Sequence, residues 1–157
     1  DLNVHEVMDN VMAIFSLKVQ QNGGEIASHL EAAMCDVYAD EMHFTNVIYN
    51  LLDNAVKYQR PDVPIHLEIR TYNPSPRKLC VSIADNGIGI RRDSVKHIFE
   101  RFYRVSTGDK HDVKGFGLGL AYVKAIIDQH RGSIHCDSTP GQGTTFTITL
   151  PLIEKQN

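Results

Sequence analysis

Five polar residues recur at helical spacing in the segment NVIYNLLDNAVKY, residues 46 to 58. At 100° per residue they fall on one narrow stripe of a helix, opposite its apolar face. Asparagine competes for backbone hydrogen bonds and is a poor helix former, so three of them in one stripe need a reason. Carboxamide oxygens are able to ligate a hard cation such as Mg²⁺, which takes its remaining ligands from water and phosphates. The stripe consists of Asn46, Asn50, Asp53, Asn54 and Lys57.

The last residue of this stripe, Lys57, adds a positive charge one turn after Asn54 and is suited to a phosphate group. The stripe therefore predicts a site for a phosphorylated ligand and its metal ion. The alternative is a polar outer face that only meets solvent, although such a face more commonly consists of Glu, Lys or Gln.

A second candidate site lies in SIADNGIGI, residues 82 to 90, where an apolar strand ends at Asp85. A carboxylate at a strand end, beside backbone that a ligand can approach closely, is able to accept a hydrogen bond from an exocyclic amine such as that of adenine. The alternative is an ordinary turn, because Asn86-Gly87 is a common turn signal. Gly89 extends the open backbone beyond such a turn.

Three glycines at every second position open the segment GFGLGLAYVK, residues 115 to 124. The run matches neither the P-loop nor the Rossmann fingerprint, which needs a third glycine three residues after the second and a strand before the first. It does lead into a helix, whose N-terminal N–H groups and dipole favour an anion. The alternative is a helix packed so closely that only glycine fits at Gly115, Gly117 and Gly119.

Aromatic and basic residues share the segment IFERFYRV, residues 98 to 105. The spacing of Phe99 and Phe102 is more typical of a packed core than of a cofactor site. Arg104 is able to reach a phosphate, whereas Arg101 is predicted to be a surface residue.

The composition of the 157 residues is that of one ordinary globular domain, with 42% hydrophobic and 22% charged residues. A net charge of −3, without a basic patch, argues against a nucleic-acid partner. Three cysteines without a CxxC pair predict neither a disulfide framework nor a zinc site, and they favour a reduced, cytoplasmic setting. No apolar stretch is long enough to span a membrane, and a chain that begins at Asp1 suggests a piece of a longer protein.

Hydrophobic periodicity predicts the elements that hold these residues. Helical spacing indicates helices over residues 4 to 21, after the capping residue Asp40, over 93 to 104, and over 118 to 131, where Gly132 ends the helix. Alternation predicts strands in EIASHLEA, IHLEIRTY, LCVSIA, SIHCDS and TTFTITLP, with hairpin turns at NPSPRK and TPGQG. Mixed helices and strands without a strict βαβ order predict an α+β domain of two layers.

In chain order, these motifs resemble the boxes of the GHKL ATPase and kinase superfamily, and specifically the catalytic and ATP-binding domain of bacterial sensor histidine kinases. NLLDNAVKY resembles the N box, DNGIGI the G1 box, IFERFYR the F box, KGFGLGLAYV the G2 box and GQGTTFTITLP the last glycine box. Order and spacing match over residues 40 to 151. The resemblance implies a Bergerat-type α/β sandwich, with helices on one face of a mixed, largely antiparallel sheet, and a lid over ATP at about residues 105 to 117.

The resemblance also implies a role for each matched position. Asn54 corresponds to the Mg²⁺ ligand, and Asn50 supports the metal or its water from one turn earlier. Lys57 and Arg104 correspond to phosphate contacts, and Tyr58 to a residue that stacks on the purine. The other matched positions are Asp85 for the adenine amine with Thr144 behind it, Gly87 and Gly89 beside the base, Gly115, Gly117, Leu118 and Gly119 in the lid and at the following helix start, and Gly141 and Gly143 in the last box.

Position 50 separates two chemistries within the superfamily. Hydrolysing relatives carry a Glu there to activate water, whereas Asn50 cannot take a proton. The resemblance therefore implies transfer of the ATP γ-phosphate to a histidine, for relay to a response regulator, with Asn50, Lys57 and Arg104 positioning and neutralising the phosphates. Phe116 departs from the pattern, because many relatives have Thr or Ser there, and a phenylalanine offers no hydroxyl to a phosphate.

The histidine that receives the phosphate is not expected in this chain. His5-Glu6 matches only the first two letters of the acceptor motif. We therefore expect one catalytic domain over residues 1 to 157, monomeric by itself and without the dimerisation domain, which binds ATP and does not label itself. Two alternatives remain open, namely a non-catalytic ATP-binding regulatory module and a serine-directed kinase of the same superfamily. Membrane anchoring of the parent protein also remains open.

Overall fold

Amphipathic segments with polar caps form the helices. Helix α1 (Val4–Gln21) begins where the Asn3 side chain accepts a hydrogen bond from the Glu6 N–H, and α2 (Glu41–Lys57) begins where Asp40 accepts one from His43. Asp40 thus caps the helix as predicted. Two shorter helices follow, α3 (Arg92–Val95) and α4 (Gly119–Gln129). The computed structural model describes residues 1–101 and 119–154.

Alternating segments form the strands, and five of them make the main sheet. These are β2 (Glu25–Leu30), β4 (His66–Ser75), β5 (Lys78–Asp85), β6 (Ser133–Thr139) and β7 (Gly143–Pro151), in the spatial order β2-β4-β5-β7-β6. Strands β2 and β4 are parallel and the other three pairs are antiparallel. Two short strands, β1 (Leu2–Asn3) and β3 (Asp36–Val37), form a separate antiparallel pair. The predicted mixed, largely antiparallel sheet is confirmed.

One face of the sheet packs on the helices because its strands alternate apolar and polar residues. Leu67 and Ile69 of β4 and Ile83 of β5 point into the core, where they join Phe15 of α1 and Phe44 of α2 in one buried cluster. Burial of each such side chain contributes about 1.5–3 kcal/mol. Within the described residues, no helix has both the length and the apolar character needed to cross a bilayer.

The segment after β5 differs from the predicted helix over 93 to 104. Helix α3 covers only Arg92–Val95, and turns continue to Arg101. Ile98 is buried and the Phe99 ring packs edge-on against Phe146, with 6.2 Å between ring centroids. The core position predicted for Phe99 is therefore correct, whereas Phe102 lies outside the described residues.

The end of α4 also differs in detail from its prediction. The residue with left-handed backbone is Arg131, at φ 60°, rather than Gly132. The Gly132 N–H donates to the Ile127 carbonyl at 2.9 Å, and a Cβ on Gly132 would lie 2.5 Å from the Thr149 oxygen. Glycine is therefore needed at 132 because β7 passes so closely, and not because of its φ angle.

Candidate functional site

The carboxylate of Asp85 lies at the end of β5 and is oriented by main-chain donors. Its Oδ1 accepts hydrogen bonds from the N–H groups of Gly87, at 2.8 Å, and Thr144, at 3.2 Å. Both of these donors face Oδ1, and the described residues supply no hydrogen bond to Oδ2, which keeps its capacity to accept one. Burial raises the pKa of Asp85, and the two N–H groups partly oppose that shift.

Two glycines allow the backbone to close around this carboxylate. A Cβ on Gly87 would lie 2.5 Å from the carbonyl oxygen of Tyr58, to which the neighbouring Ile88 N–H donates at 2.9 Å. Gly143 has a φ of 124°, and a Cβ there would collide with the main-chain oxygen of Asp85. The end of α2, the loop after β5 and the start of β7 therefore meet at Asp85.

The G1 box and the last glycine box are in direct contact beside Asp85. Gly89 packs against the carbonyl of Thr139, and the Gly141 N–H donates to the Ile88 oxygen at 2.7 Å. The turn between β6 and β7 is thus joined directly to the loop that follows Asp85.

Thr144 supports Asp85 through its main-chain N–H, while its hydroxyl lies 2.8 Å from the hydroxyl of Ser138 on β6. Ser138 also accepts the N–H of Ile90 at 2.7 Å and donates to the Gly143 oxygen, 3.0 Å away. The sequence interpretation missed Ser138. The signal was present, because alternation along SIHCDS places this polar residue on the buried face of its strand.

Two further polar residues organise the loop after β5. Asn86 accepts the His66 N–H at 2.8 Å and donates to the Pro64 oxygen at 3.0 Å. Arg60, which the sequence interpretation missed, donates to the carbonyls of Asn86 and Gly141. Asn86 is therefore more than a turn residue, because its side chain joins the loop to the segment that leads into β4.

The asparagine stripe follows one side of α2, as the spacing predicts. Asn50 and Asn54 are half-buried on successive turns, and Lys57 lies one turn further on. The Asn50 Nδ2 donates to the Asn46 carbonyl at 2.7 Å, and a Cβ on Gly119 would lie 3.4 Å from the Asn50 Oδ1. The Asn50 carboxamide oxygen is therefore directed at the start of α4.

The side chains of this stripe suit a metal ion that takes some of its ligands from phosphate groups. Lys57 Nζ lies 3.0 Å from Asp53 Oδ2, one turn earlier on the same helix. Within residues 1–101 and 119–154, no group of three or more His, Cys, Asp or Glu side chains is arranged to hold a metal. Carboxamide oxygens alone leave most of the coordination shell to water and phosphate, which is the usual arrangement for Mg²⁺.

The described part of the chain thus brings two predicted groups of residues together along α2, namely the asparagine stripe and the residues around Asp85. Tyr58, at the C-terminal end of α2, joins the asparagine stripe to the loop that carries Gly87. Gly119 begins α4 beside Asn50. The remaining predicted positions, Arg104, Gly115, Phe116, Gly117, Leu118 and the lid over 105 to 117, lie outside the described residues.

Comparisons with known proteins agree with this arrangement. Residues 39–154 match the family model described as histidine kinase-, DNA gyrase B-, and HSP90-like ATPase. The chain is 53% identical to the sensor protein RprX of Bacteroides fragilis (strain YCH46) over 154 residues, which are 98% of this chain and 30% of RprX.

Two solved structures are similar over nearly the whole chain. The mycobacterial sensor histidine kinase MprB has a TM-score of 0.82 and 27% identity, with 96% of each chain covered. Full-length ShkA in complex with AMPPNP has a TM-score of 0.82 and 25% identity, with 99% of this chain and 31% of ShkA covered. The chain therefore spans less than a third of RprX and of ShkA. It belongs to the histidine kinase-, DNA gyrase B-, and HSP90-like ATPase family, and within that family it is a catalytic domain of the sensor histidine kinase type.

Proposed function

We propose that this chain binds Mg-ATP and transfers its γ-phosphate to a histidine on a separate dimerisation domain of the parent protein, for relay to a response regulator. The observation that carries the proposal is the Asp85 carboxylate, oriented by two N–H groups with Oδ2 open to a ligand amine. Membership of an ATPase family supports ATP as the ligand. The similarity to the sensor histidine kinase MprB supports the reaction, and the similarity to ShkA, solved in complex with AMPPNP, supports the ligand.

Recognition of the base follows from the chemistry of Asp85. The exocyclic amine of adenine donates a hydrogen bond to Oδ2. The carbonyl of guanine would instead place an acceptor against Oδ2 and leave both this carbonyl oxygen and Oδ2 without a donor. Asp85 must be ionised for this purpose, and its raised pKa is lowered again when the amine binds. Tyr58, at the end of α2, is the proposed stacking partner of the purine.

One and two turns before Tyr58 on α2, Asn54 and Asn50 are the proposed ligands for Mg²⁺. When bound, the ion neutralises charge on the phosphates. Lys57 exchanges its contact with Asp53 for a phosphate oxygen, and Asn50 holds its carboxamide oxygen toward the start of α4 at Gly119.

Four residues outside the described part of the chain complete the proposed phosphate site. Arg104 is the proposed contact to the γ-phosphate, Gly115 and Gly117 belong to the lid and its hinge, and Leu118 is a proposed nucleotide-binding residue directly after the lid.

Asn50 favours transfer over hydrolysis because a carboxamide cannot remove a proton from water. The nucleophile is then an imidazole nitrogen, which forms a bond to the γ-phosphorus as the bridging oxygen leaves with ADP. His5 is a poor candidate for that nucleophile, since its Nε2 lies 2.8 Å from the Thr71 hydroxyl in a half-buried position. The acceptor is therefore proposed to lie on another domain.

Labelling with γ-labelled ATP and Mg²⁺ tests this function. We expect no stable label on the chain alone, and acid-labile, base-stable label on the acceptor-histidine segment of the parent protein when that segment is added. The Asn54→Ala chain is the control and should leave the segment unlabelled. Acid-labile label on the chain alone would contradict the proposal. An unlabelled segment in the presence of bound ATP would favour a non-catalytic module, and acid-stable label would favour a serine-directed kinase.

We also propose a cytoplasmic location, where ATP is supplied, and a monomeric state for the isolated chain. The net charge of −3 supports the absence of a nucleic-acid partner. Light scattering of the purified chain measures its oligomeric state, and a dimer at micromolar concentration would contradict this part of the proposal.

A further inference from the structure

Arg60 joins two segments that are far apart in sequence. It follows the end of α2 by three residues, and its guanidinium donates two hydrogen bonds to main-chain carbonyls. Nε donates to the Asn86 oxygen at 2.9 Å, and Nη1 donates to the Gly141 oxygen at 3.0 Å. One side chain thus connects the loop after β5 with the turn between β6 and β7.

These two hydrogen bonds complete a closed ring of contacts. The Ile88 N–H donates to the Tyr58 oxygen at 2.9 Å, and the Gly141 N–H donates to the Ile88 oxygen at 2.7 Å. The end of α2, the loop and the turn are therefore each bound to the other two. Without Arg60, the loop keeps its contacts at Ile88 and those of the Asn86 side chain, but the main-chain carbonyls of Asn86 and Gly141 lose their side-chain donor.

The residues of this ring are close in sequence to the two N–H donors that orient Asp85. Gly87, between Asn86 and Ile88, donates its N–H to Asp85 Oδ1. Thr144, three residues after Gly141, donates the second N–H to the same oxygen. A shift of either segment changes the direction in which Oδ2 points.

On the basis of the function proposed above, we infer that Arg60 is a positioning residue for purine recognition, which holds the two N–H donors of Asp85 in place. The planar guanidinium suits this role because it directs separate N–H groups at two carbonyls. A lysine ammonium is a single point charge on a flexible stem and cannot reproduce this geometry.

Arg60→Ala and Arg60→Lys test this inference, with Arg70→Ala as the matched control. Arg70 lies on β4, is about half exposed, and pairs with Glu68 at 3.5 Å. Calorimetry with Mg-AMPPNP and with Mg-GMPPNP measures affinity and base preference. For Arg60→Ala we expect AMPPNP affinity to fall about tenfold, a smaller loss for GMPPNP, and a reduced preference for adenine. Arg60→Lys should lose nearly as much, and Arg70→Ala should match the parent chain.

Amide hydrogen exchange supplies a measurement that needs no nucleotide. The N–H groups of Ile88 and Gly141 should exchange faster in Arg60→Ala, while those of the central strand β5 keep their rates. Unchanged exchange at Ile88 and Gly141 would refute the inference, as would full retention of base preference by Arg60→Ala or of AMPPNP affinity by Arg60→Lys. If the parent chain binds no nucleotide, the proposed function fails, and the exchange rates still decide whether Arg60 holds this loop.

Discussion

Asp85 is oriented by the N–H of Gly87, two residues later, and by that of Thr144 on a different strand, whereas Asn50 and Lys57 contact Asn46 and Asp53 of their own helix. We call the first region, formed by Asp85, Gly87 and Thr144, the base end of the site. We call the second, formed by Asn50, Asn54 and Lys57, the phosphate end. The base end depends on contacts between distant segments, and the phosphate end depends on i, i+4 spacing along α2.

This contrast indicates how the two ends respond to a ligand. Main-chain hydrogen bonds keep Asp85 in one orientation before the nucleotide arrives, which lowers the entropic cost of recognising the base. The Lys57–Asp53 pair is about one-third exposed on both sides, and exposed pairs of this kind contribute about 0–1 kcal/mol. Lys57 is therefore able to leave Asp53 at little cost when a phosphate binds.

The largest expected effect is at the phosphate end. Asn54→Ala removes the proposed Mg²⁺ ligand, and we expect Mg-dependent AMPPNP affinity to fall by about 100-fold or more because Asn54 would hold the ion that neutralises the phosphates. Calorimetry with and without Mg²⁺ measures the loss. Asn46→Ala is the control, since Asn46 is exposed on the same helix face. Unchanged Mg-dependent affinity in Asn54→Ala would count against this ligand.

At the base end, Asp85→Asn should weaken ATP binding by about 10- to 100-fold and abolish the preference for ATP over GTP, because the amide presents a donor to the adenine amine.

The same substitution should increase the folding stability at neutral pH. Since burial raises the pKa of Asp85, the ionised carboxylate destabilises the folded chain at neutral pH, and this cost is absent below the unfolded-state pKa. Urea unfolding should therefore show Asp85→Asn to be more stable than the parent at neutral pH, with a difference that shrinks as the pH falls. A surviving ATP preference would leave Asp85 as a turn residue only.

Gly87→Ala tests whether the base end depends on close backbone packing. The new Cβ would lie 2.5 Å from the Tyr58 oxygen, and we expect a loss of about 1–3 kcal/mol in unfolding free energy together with weaker ATP binding. Gly23→Ala is the control, because Gly23 has a φ of 76° but no heavy atom within 4 Å of the added Cβ. It should lose about 1–2 kcal/mol of stability from backbone strain and keep its ATP affinity. Equal ATP affinities in the two variants would contradict the predicted packing effect.

A smaller effect is expected from pH. Because the pKa of Asp85 is raised, its carboxylate protonates earlier than an ordinary Asp as the pH falls, and ATP affinity should decrease over that range. The ATP phosphates titrate in the same way with the parent chain and with Asp85→Asn. The contribution of Asp85 is therefore the difference between the two curves of ATP affinity against pH. Parallel curves would show that the charge of Asp85 does not contribute to binding.

The smallest expected effect concerns the local pair at the phosphate end. Asp53→Ala should change the unfolding free energy by only a few tenths of a kcal/mol, because the pair with Lys57 is partly exposed. ATP affinity should change by less than about threefold. A loss comparable to that of Asn54→Ala would mean that Asp53 itself takes part in metal binding.

Local periodicity explains why much of the fold and one end of the site were predictable. Asp40 precedes an apolar helical pattern and caps α2 as expected, and the stripe of Asn50, Asn54 and Lys57 follows from 3.6 residues per turn. The position of Asp85 at the end of a strand followed from the alternation that precedes it. Each of these features depends on neighbours within a few residues.

Short-range patterns in the sequence account for the long helices, the five strands of the main sheet, the asparagine stripe and the glycine-rich turns, because backbone preferences and helical or strand periods act over short distances. The tertiary structure decided the contacts that orient the site. Arg60 meets the carbonyl of Gly141 across 81 positions, and Thr144 meets Asp85 across 59. No local pattern encodes such pairs, since they form only when the sheet order brings β5 beside β7 and places the end of α2 against their loops. The geometry of the base end is therefore a property of the folded chain.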